Sequence, residues 1–182
     1  MKIPPAKLKA ILLYFCNYTD TKFLGKTKLM KLFYFLDFMH LKQYGSPVTF
    51  DTYVKMEHGP IPAIIKLYVD TACENIDESF LFDTIYCERI KTIDIRMYKI
   101  LPVRKFAEKD KKLFSVTELE ILEKICARYG NKNTAYIEEA SHKEAAYQKT
   151  CIGQTIPYTI ATEDEDCLVE KENIELLMKI YS

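Results

Sequence analysis

Apolar residues between Thr27 and Tyr44 do not keep to one stripe. Leu29, Met30, Leu32, Phe33, Tyr34, Phe35, Leu36, Phe38, Met39 and Leu41 spread around most of a helical wheel, which predicts a central helix with neighbours on several sides. Lys28, Lys31 and Lys42 gather on a common polar edge, while Asp37 and His40, three apart, share the opposite face. Asp37 falls between Phe33, Met30 and Leu41. A carboxylate there needs a partner, whether His40, a basic group or a hydroxyl, because burying it unpaired costs more than the helix gains. A satisfied polar network inside the core is the expected answer. Gly45 is placed to cap the helix. Phe50 to Met56 reads as extended, and Glu57-His58-Gly59-Pro60-Ile61-Pro62 as a stiff turn from which the next helix starts.

Elsewhere the period is easier to assign. Ile3 to Tyr18 carries Leu8, Ile11, Leu12, Phe15 and Cys16 at helical spacing, with Pro5 suited to a first turn. Thr19 to Gly25 is a turn, and Ala63 to Ile76 another helix. From Glu78 to Phe106 the pattern changes: Ile93, Ile95 and Met97 alternate with Asp94 and Arg96, predicting a β-hairpin that reverses within Glu88 to Thr92. Phe50 to Met56 is a candidate third strand. Ser115 and Glu118 form a capping box, with Phe114 placed to staple onto Leu119. The helix they open runs to Gly130 with Leu119, Leu122, Ile125 and Cys126 inward. A short helix over Thr134 to Ala140 leads to Ser141-His142-Lys143-Glu144, which reads as a second capping box. Thr150 to Leu168 is irregular and turns acidic at Thr162 to Cys167, and Val169 to Tyr181 closes as a helix. The expected fold is mainly α (α+β): a compact helical domain around a buried central helix, with a small antiparallel hairpin or three-stranded sheet.

Composition narrows the function classes. A chain of 182 residues is sized for a single domain with a substantial core. Its 26 basic and 26 acidic residues balance, which counts against nucleic-acid binding. The lysine edge and the run Lys105 to Lys112 read as solvated faces. No apolar run is long enough to span a membrane, since lysines interrupt the central helix. The six cysteines are scattered without a C-x-x-C pair, and only three histidines accompany them, so no zinc site is read and the cysteines are expected reduced, in a cytoplasmic protein. Glycine-rich phosphate loops, H-x-x-x-H and G-x-S-x-G are absent from the sequence. His58 beside Glu57 invites a general-base reading, but fixing the turn is the stronger one, and His142 is a helix-cap neighbour before it is a catalyst. No catalytic, cofactor-binding or metal residue is assigned, and no cofactor is expected. Thirteen tyrosines and ten phenylalanines exceed what one core needs; either some sit on an interaction surface or the composition is simply tyrosine-rich.

The segment KLFYFLDFMHLKQYGSPVTFDTYVKMEHGPIP resembles the signature of the Panacea domain, the SocA-like antitoxin family of bacteria and their phages. The resemblance rests on a lysine-led apolar helix, a Gly-x-Pro step, an extended segment and a His-Gly-Pro-Ile turn, in order and at matching spacing. Phe114-Ser115 followed by Glu118-Leu119, and Ser141-His142 followed by Glu144, are similar to the second half of the pattern. Here the chain departs in one place: the family usually has a tryptophan shortly after the Ser-His step, and this chain has Tyr147. The likeness covers about residues 5 to 150, leaving 151–182 as an acidic segment and closing helix. Asp37, His40, His58, Gly59, Pro60, Ser115, Glu118, Ser141 and His142 are the structural motif it marks. Some family members carry an N-terminal helix-turn-helix module, for which this chain has no room.

The resemblance implies an antitoxin that neutralises a protein toxin encoded next door by direct complex formation. One branch of the family is a proteolytic adaptor for the ClpXP protease. Thr162 to Cys167 and the last helix, outside the likeness, are the first expectation for partner-specific contacts, with a core that stays folded when they are deleted. Two other classes stay open: a phage or mobile-element nucleic-acid-binding regulator using the lysine edge, and a hydrolase built on His58 and a cysteine.

Overall fold

The computed structural model describes residues 3–90 and 97–181. Helix α1 (Pro5–Tyr18) begins on a proline whose missing N–H costs nothing in a first turn, and α2 (Lys26–Tyr44) follows as the axis of the molecule. Every residue from Lys28 to Phe38 is buried. That follows from the all-round apolar pattern, since α2 is in contact with elements from both halves of the chain. Gly45 ends it in the left-handed conformation, its N–H reaching the Leu41 carbonyl at 2.8 Å.

The chain then makes strand β1 (Tyr53–Met56), reverses over Glu57 and His58, and pairs back as β2 (Gly59–Pro62), with Met56 opposite Gly59 and Tyr53 opposite Pro62. The expected stiff turn is therefore itself a strand. Two prolines fit because β2 lies at the sheet edge, where an absent N–H breaks no ladder. Helix α3 (Ala63–Glu74) starts directly from Pro62, and Asp51 caps it from outside, taking the Ile64 and Ile65 N–H groups at 3.1 and 2.8 Å. A second pair, β3 (Ile85–Ile90) and β4 (Met97–Pro102), is antiparallel with Ile85 opposite Pro102. Glu88 to Ile90 are paired strand, and the rest of the range expected to reverse, Lys91 and Thr92, lies outside the described residues. Ile93 and Ile95, with the rest of 91–96, lie outside the described residues.

Helix α4 (Glu108–Lys111) precedes α5 (Val116–Tyr129), which opens on Ser115 with both halves of the capping box formed. Its buried face is Ile121, Leu122, Ile125 and Tyr129, so Leu119 and Cys126 are half-buried at its flank. Helix α6 (Thr134–His142) is capped by Asn133, and α7 (Ala145–Gln148) follows. The second capping box does not form. Ser141 and His142 finish α6, the Ser141 hydroxyl turns back to the Glu138 carbonyl at 2.7 Å, and Asp164 from far downstream takes the Ala145 N–H at 2.7 Å. Strand β5 (Thr155–Ile156) joins the other edge of β1, giving the order β2-β1-β5 in a sheet separate from the β3-β4 pair. Phe50 to Met56 thus contributes a strand to its own sheet and not to the hairpin. A 3-10 run (Tyr158–Glu163) and α8 (Lys171–Tyr181) complete the chain. The protein is mainly α with a β part.

The expectation of reduced cysteines is corrected at one pair. Cys73 on α3 and Cys87 on β3 form a disulfide, their Cα atoms 5.0 Å apart. The packing of α3 on β3 brings them together, which cysteine spacing along the chain does not register. Among the described residues no helix is long and apolar enough to cross a membrane.

Candidate functional site

Three lysines on α2 overturn the reading of a solvated edge. Lys28, Lys31 and Lys42 are all buried, and each ends on a different partner. The Lys28 ammonium donates to the Gly130 and Lys132 carbonyls at 2.9 and 2.6 Å, fastening α2 to the end of α5. Lys42 meets Glu144, Asp164 and Asp166 at 2.7, 3.4 and 2.8 Å. Burial alone would lower its pKa; the carboxylates, Glu144 foremost, more than reverse that and hold it above the ordinary lysine value. Lys31 donates to the Pro60 carbonyl at 2.9 Å and, among the described residues, pairs with no carboxylate. Burial pushes it down to about 7, with Glu138 pulling weakly the other way. The lysines are thus not free to contact phosphates, which removes the feature on which a nucleic-acid reading rested.

Asp37, fully buried, accepts the Val48 and Thr49 N–H groups at 2.8 and 2.7 Å, the Thr49 hydroxyl, the Tyr53 hydroxyl at 2.9 Å and the Tyr158 hydroxyl at 3.2 Å. Burial pushes its carboxyl up to about 6 against those bonds. His40 is not among its partners. That ring donates from Nδ1 to the Ser46 carbonyl at 2.6 Å, and its Nε2 lies 3.1 Å from the Thr117 hydroxyl. Tyr158 also lies 2.8 Å from the Asp51 carbonyl, so the network draws the C-terminal segment against α2 and β1. The acidic segment also reaches α2, through Lys42. Asp164, half-buried, and Asp166, exposed, both pair with Lys42, and deleting them strips Lys42 of two of its three carboxylates.

The β1–β2 corner brings together residues from three distant parts of the chain. Gly59 has φ 94°, and a Cβ there would come 2.6 Å from Lys31 Cε and 2.7 Å from Ser141 Oγ. Only glycine lets the strand, α2 and α6 approach so closely. His58 is exposed and bonds Glu138 Oε1 through Nδ1 at 2.8 Å. The His142 ring stacks on Tyr147, centroids 4.1 Å apart, and its pKa is lowered by burial. Tyr147 donates to the Glu57 carbonyl at 3.1 Å, with the Lys55 ammonium 4.1 Å above its ring. His58, Gly59, Pro60, Ser141 and His142 thus form one constellation. Asp37 and His40 belong to the core network, and Ser115 and Glu118 sit at the start of α5, where Glu118 also pairs with Lys7 at 2.5 Å. Sequence reasoning missed Lys31, Glu138 and Asp51. Their roles depend on carbonyls, rings and amides supplied by other elements, and only the burial of Lys31 had a local signal, its apolar neighbours on both sides.

Beside this corner lies a groove of about 440 Å³ between the first turns of α2, the β1–β2 turn, α3 and the loop before β5. Met30, Met56, Ile61 and Ile152 make its apolar walls, with Lys26, Lys31, Lys66, Asp70, Glu57 and His58 around them. No cysteine lines it. The buried thiols of Cys16 and Cys126 are pushed up to about 12 by burial, the opposite of an activated nucleophile. Among the described residues no three of His, Cys, Asp and Glu are placed to hold a metal ion. Imidazole and thiol do not meet in this groove.

A family model described as antitoxin SocA-like, Panacea domain, matches residues 29–148, from within α2 to the end of α7. No curated protein and no solved structure matches the chain.

Proposed function

The chain belongs to the SocA-like antitoxin family built on the Panacea domain, and from that premise we propose that it neutralises a cognate protein toxin by binding it directly. The toxin is encoded by the adjoining gene of a phage-associated or bacterial locus, and the pair acts in the cytoplasm. The chain itself is a non-enzymatic regulator. Supporting this reading is the use made of the motif residues at the family-matched corner. Gly59, Ser141, His142 and Lys31 are engaged in holding α2, α6 and the β1–β2 corner together, while the apolar side chains next to them stay open to solvent. A rigid frame beside an exposed apolar surface suits protein recognition.

A further step is that the bound toxin is handed to the ClpXP protease. Co-expression with the adjoining gene's product tests the main reading: cells that die with that product alone grow when the chain is present, and the two proteins co-purify. Continued death, or survival without a complex, contradicts it. A toxin half-life unaltered by loss of ClpXP contradicts the adaptor step alone.

A further inference from the structure

We propose that the Cys73–Cys87 disulfide is a reversible redox clasp, opened and closed by the cellular thiol pool, that sets how firmly the β3–β4 hairpin is held to α3 and to the start of α2. The first support is the setting of the bond. Cys73 and Cys87 are only half-buried, and a partly exposed disulfide exchanges with outside thiols where one sealed in a core resists them. In the cytoplasm, where the antitoxin reading puts the chain, such a bond is a responsive element and not a permanent staple. Cys16, Cys126, Cys151 and Cys167 are free thiols, so the pair has only itself as established partner.

The second support is a ring that the bond closes. Asp70 ties α3 to Lys26, in the first turn of α2, at 2.7 Å. The Ile100 N–H of β4 donates to the Leu24 carbonyl at 2.9 Å, and Lys99 bridges to Gly25, just ahead of α2. β4 pairs with β3, and the disulfide returns from β3 to α3. The ties named on the other sides are hydrogen bonds and an ion pair, so the covalent side governs how tightly the ring shuts. Phe80 meets Tyr68 edge-on at 4.7 Å and Ile85 is buried, contacts that outlast the bond. Opening therefore loosens the ring without emptying the core.

Opening consumes two molecules of glutathione or one dithiol reductant. A thiolate attacks one sulfur of the pair, the S–S bond breaks, and the other sulfur leaves with the electron pair and takes a proton. A second thiolate then frees the first cysteine from the mixed disulfide, and the reductant, having given two electrons, departs as its own disulfide. Oxidised glutathione runs the same steps backwards.

The test equilibrates the purified full chain across ratios of reduced to oxidised glutathione, reads Cys73 and Cys87 by alkylation and peptide mapping, and follows amide exchange in parallel. The pair is expected to pass from disulfide to thiols towards the reducing end. With it, exchange at the Ile85, Ile100 and Val103 amides, which donate to the Leu81, Leu24 and Thr84 carbonyls, should quicken on the order of a hundredfold. The Val48 and Thr49 amides on Asp37 should keep their rate. Cys73→Ser with Cys87→Ser should show the fast hairpin exchange at every ratio. A pair that stays disulfide at the reducing end, or stays thiol at the oxidising end, overturns the proposal. So does conversion that leaves hairpin exchange unchanged, or that quickens the Asp37-bonded amides equally. No readout uses the toxin, so failure of the clasp spares the antitoxin reading, and a toxin that does not bind leaves the clasp judged on these readouts alone.

Discussion

Lys31 and Lys42 lie on the same helix, both buried, and are treated in opposite ways. Around Lys42 the fold closes: three carboxylates from two downstream segments converge on one ammonium, and the Lys42 carbonyl accepts the Leu168 N–H at 2.9 Å. Around Lys31 it stops short, supplying one carbonyl and leaving an apolar groove alongside. A buried charge that is fully answered is architecture. One that is under-answered lies beside an open surface, which is the contrast between the β1–β2 corner and the acidic segment.

Removing the charges should separate the two ends most sharply. Lys42→Ala leaves Glu144 and Asp164 facing each other in partial burial and is expected to cost about 3 to 5 kcal/mol in urea unfolding. A loss below about 1 kcal/mol would erase the contrast. The wall of the groove gives the next effect. α3 carries Lys66 and Asp70, and the Cys73–Cys87 disulfide pins its end to β3. Reduction, or Cys73→Ser with Cys87→Ser, opens that closed loop and is expected to cost about 3 kcal/mol, seen as a lower melting temperature with reductant. Equal melting with and without reductant would count against a covalent tie there.

The smallest effect belongs to Lys31→Met, which exchanges an ammonium with one acceptor for an apolar chain of similar length and is expected to stay within about 1 kcal/mol near neutral pH. Its signature is in the pH dependence. The folded Lys31 stands at about 7 against 10.5 in the open chain, so between those values the unfolded state holds more protons and stability rises with pH. Lys28, at about 8, adds to the rise in the upper part of that window. The midpoint of urea unfolding should therefore climb less steeply from neutral pH to about pH 10 in Lys31→Met than in the wild type. Parallel profiles would place the Lys31 ammonium in a better-solvated setting.

What was legible in the sequence was what is decided locally. The unbroken apolar wheel of α2, the Gly45 stop, Pro5 in a first turn and the Ser115–Glu118 box each depend on residues a few positions apart, and each forms. What was not legible depends on distant partners. Periodicity assigned Lys28, Lys31 and Lys42 to solvent because it sees a polar edge and not the carbonyls and carboxylates arriving from Pro60, Gly130 and Asp164. The Ser141 box does not form because Ser141 lies in the last turn of α6 with its hydroxyl on the Glu138 carbonyl, and the Glu144 carboxylate goes to Lys42. The His-Gly-Pro-Ile step was visible as rigid. That its rigidity serves a strand edge pressed onto Lys31 required the packing of α2 and α6.

Stoichiometric gripping is tested most directly by mixing the purified chain with its neighbour's purified product, followed by native and intact mass spectrometry. The expected spectrum holds a complex of fixed ratio in which both proteins keep their covalent masses and the toxin is inert only while bound. A toxin silenced by trace amounts of the chain, or one carrying a new covalent mass with no complex present, would show that this protein works by chemistry instead.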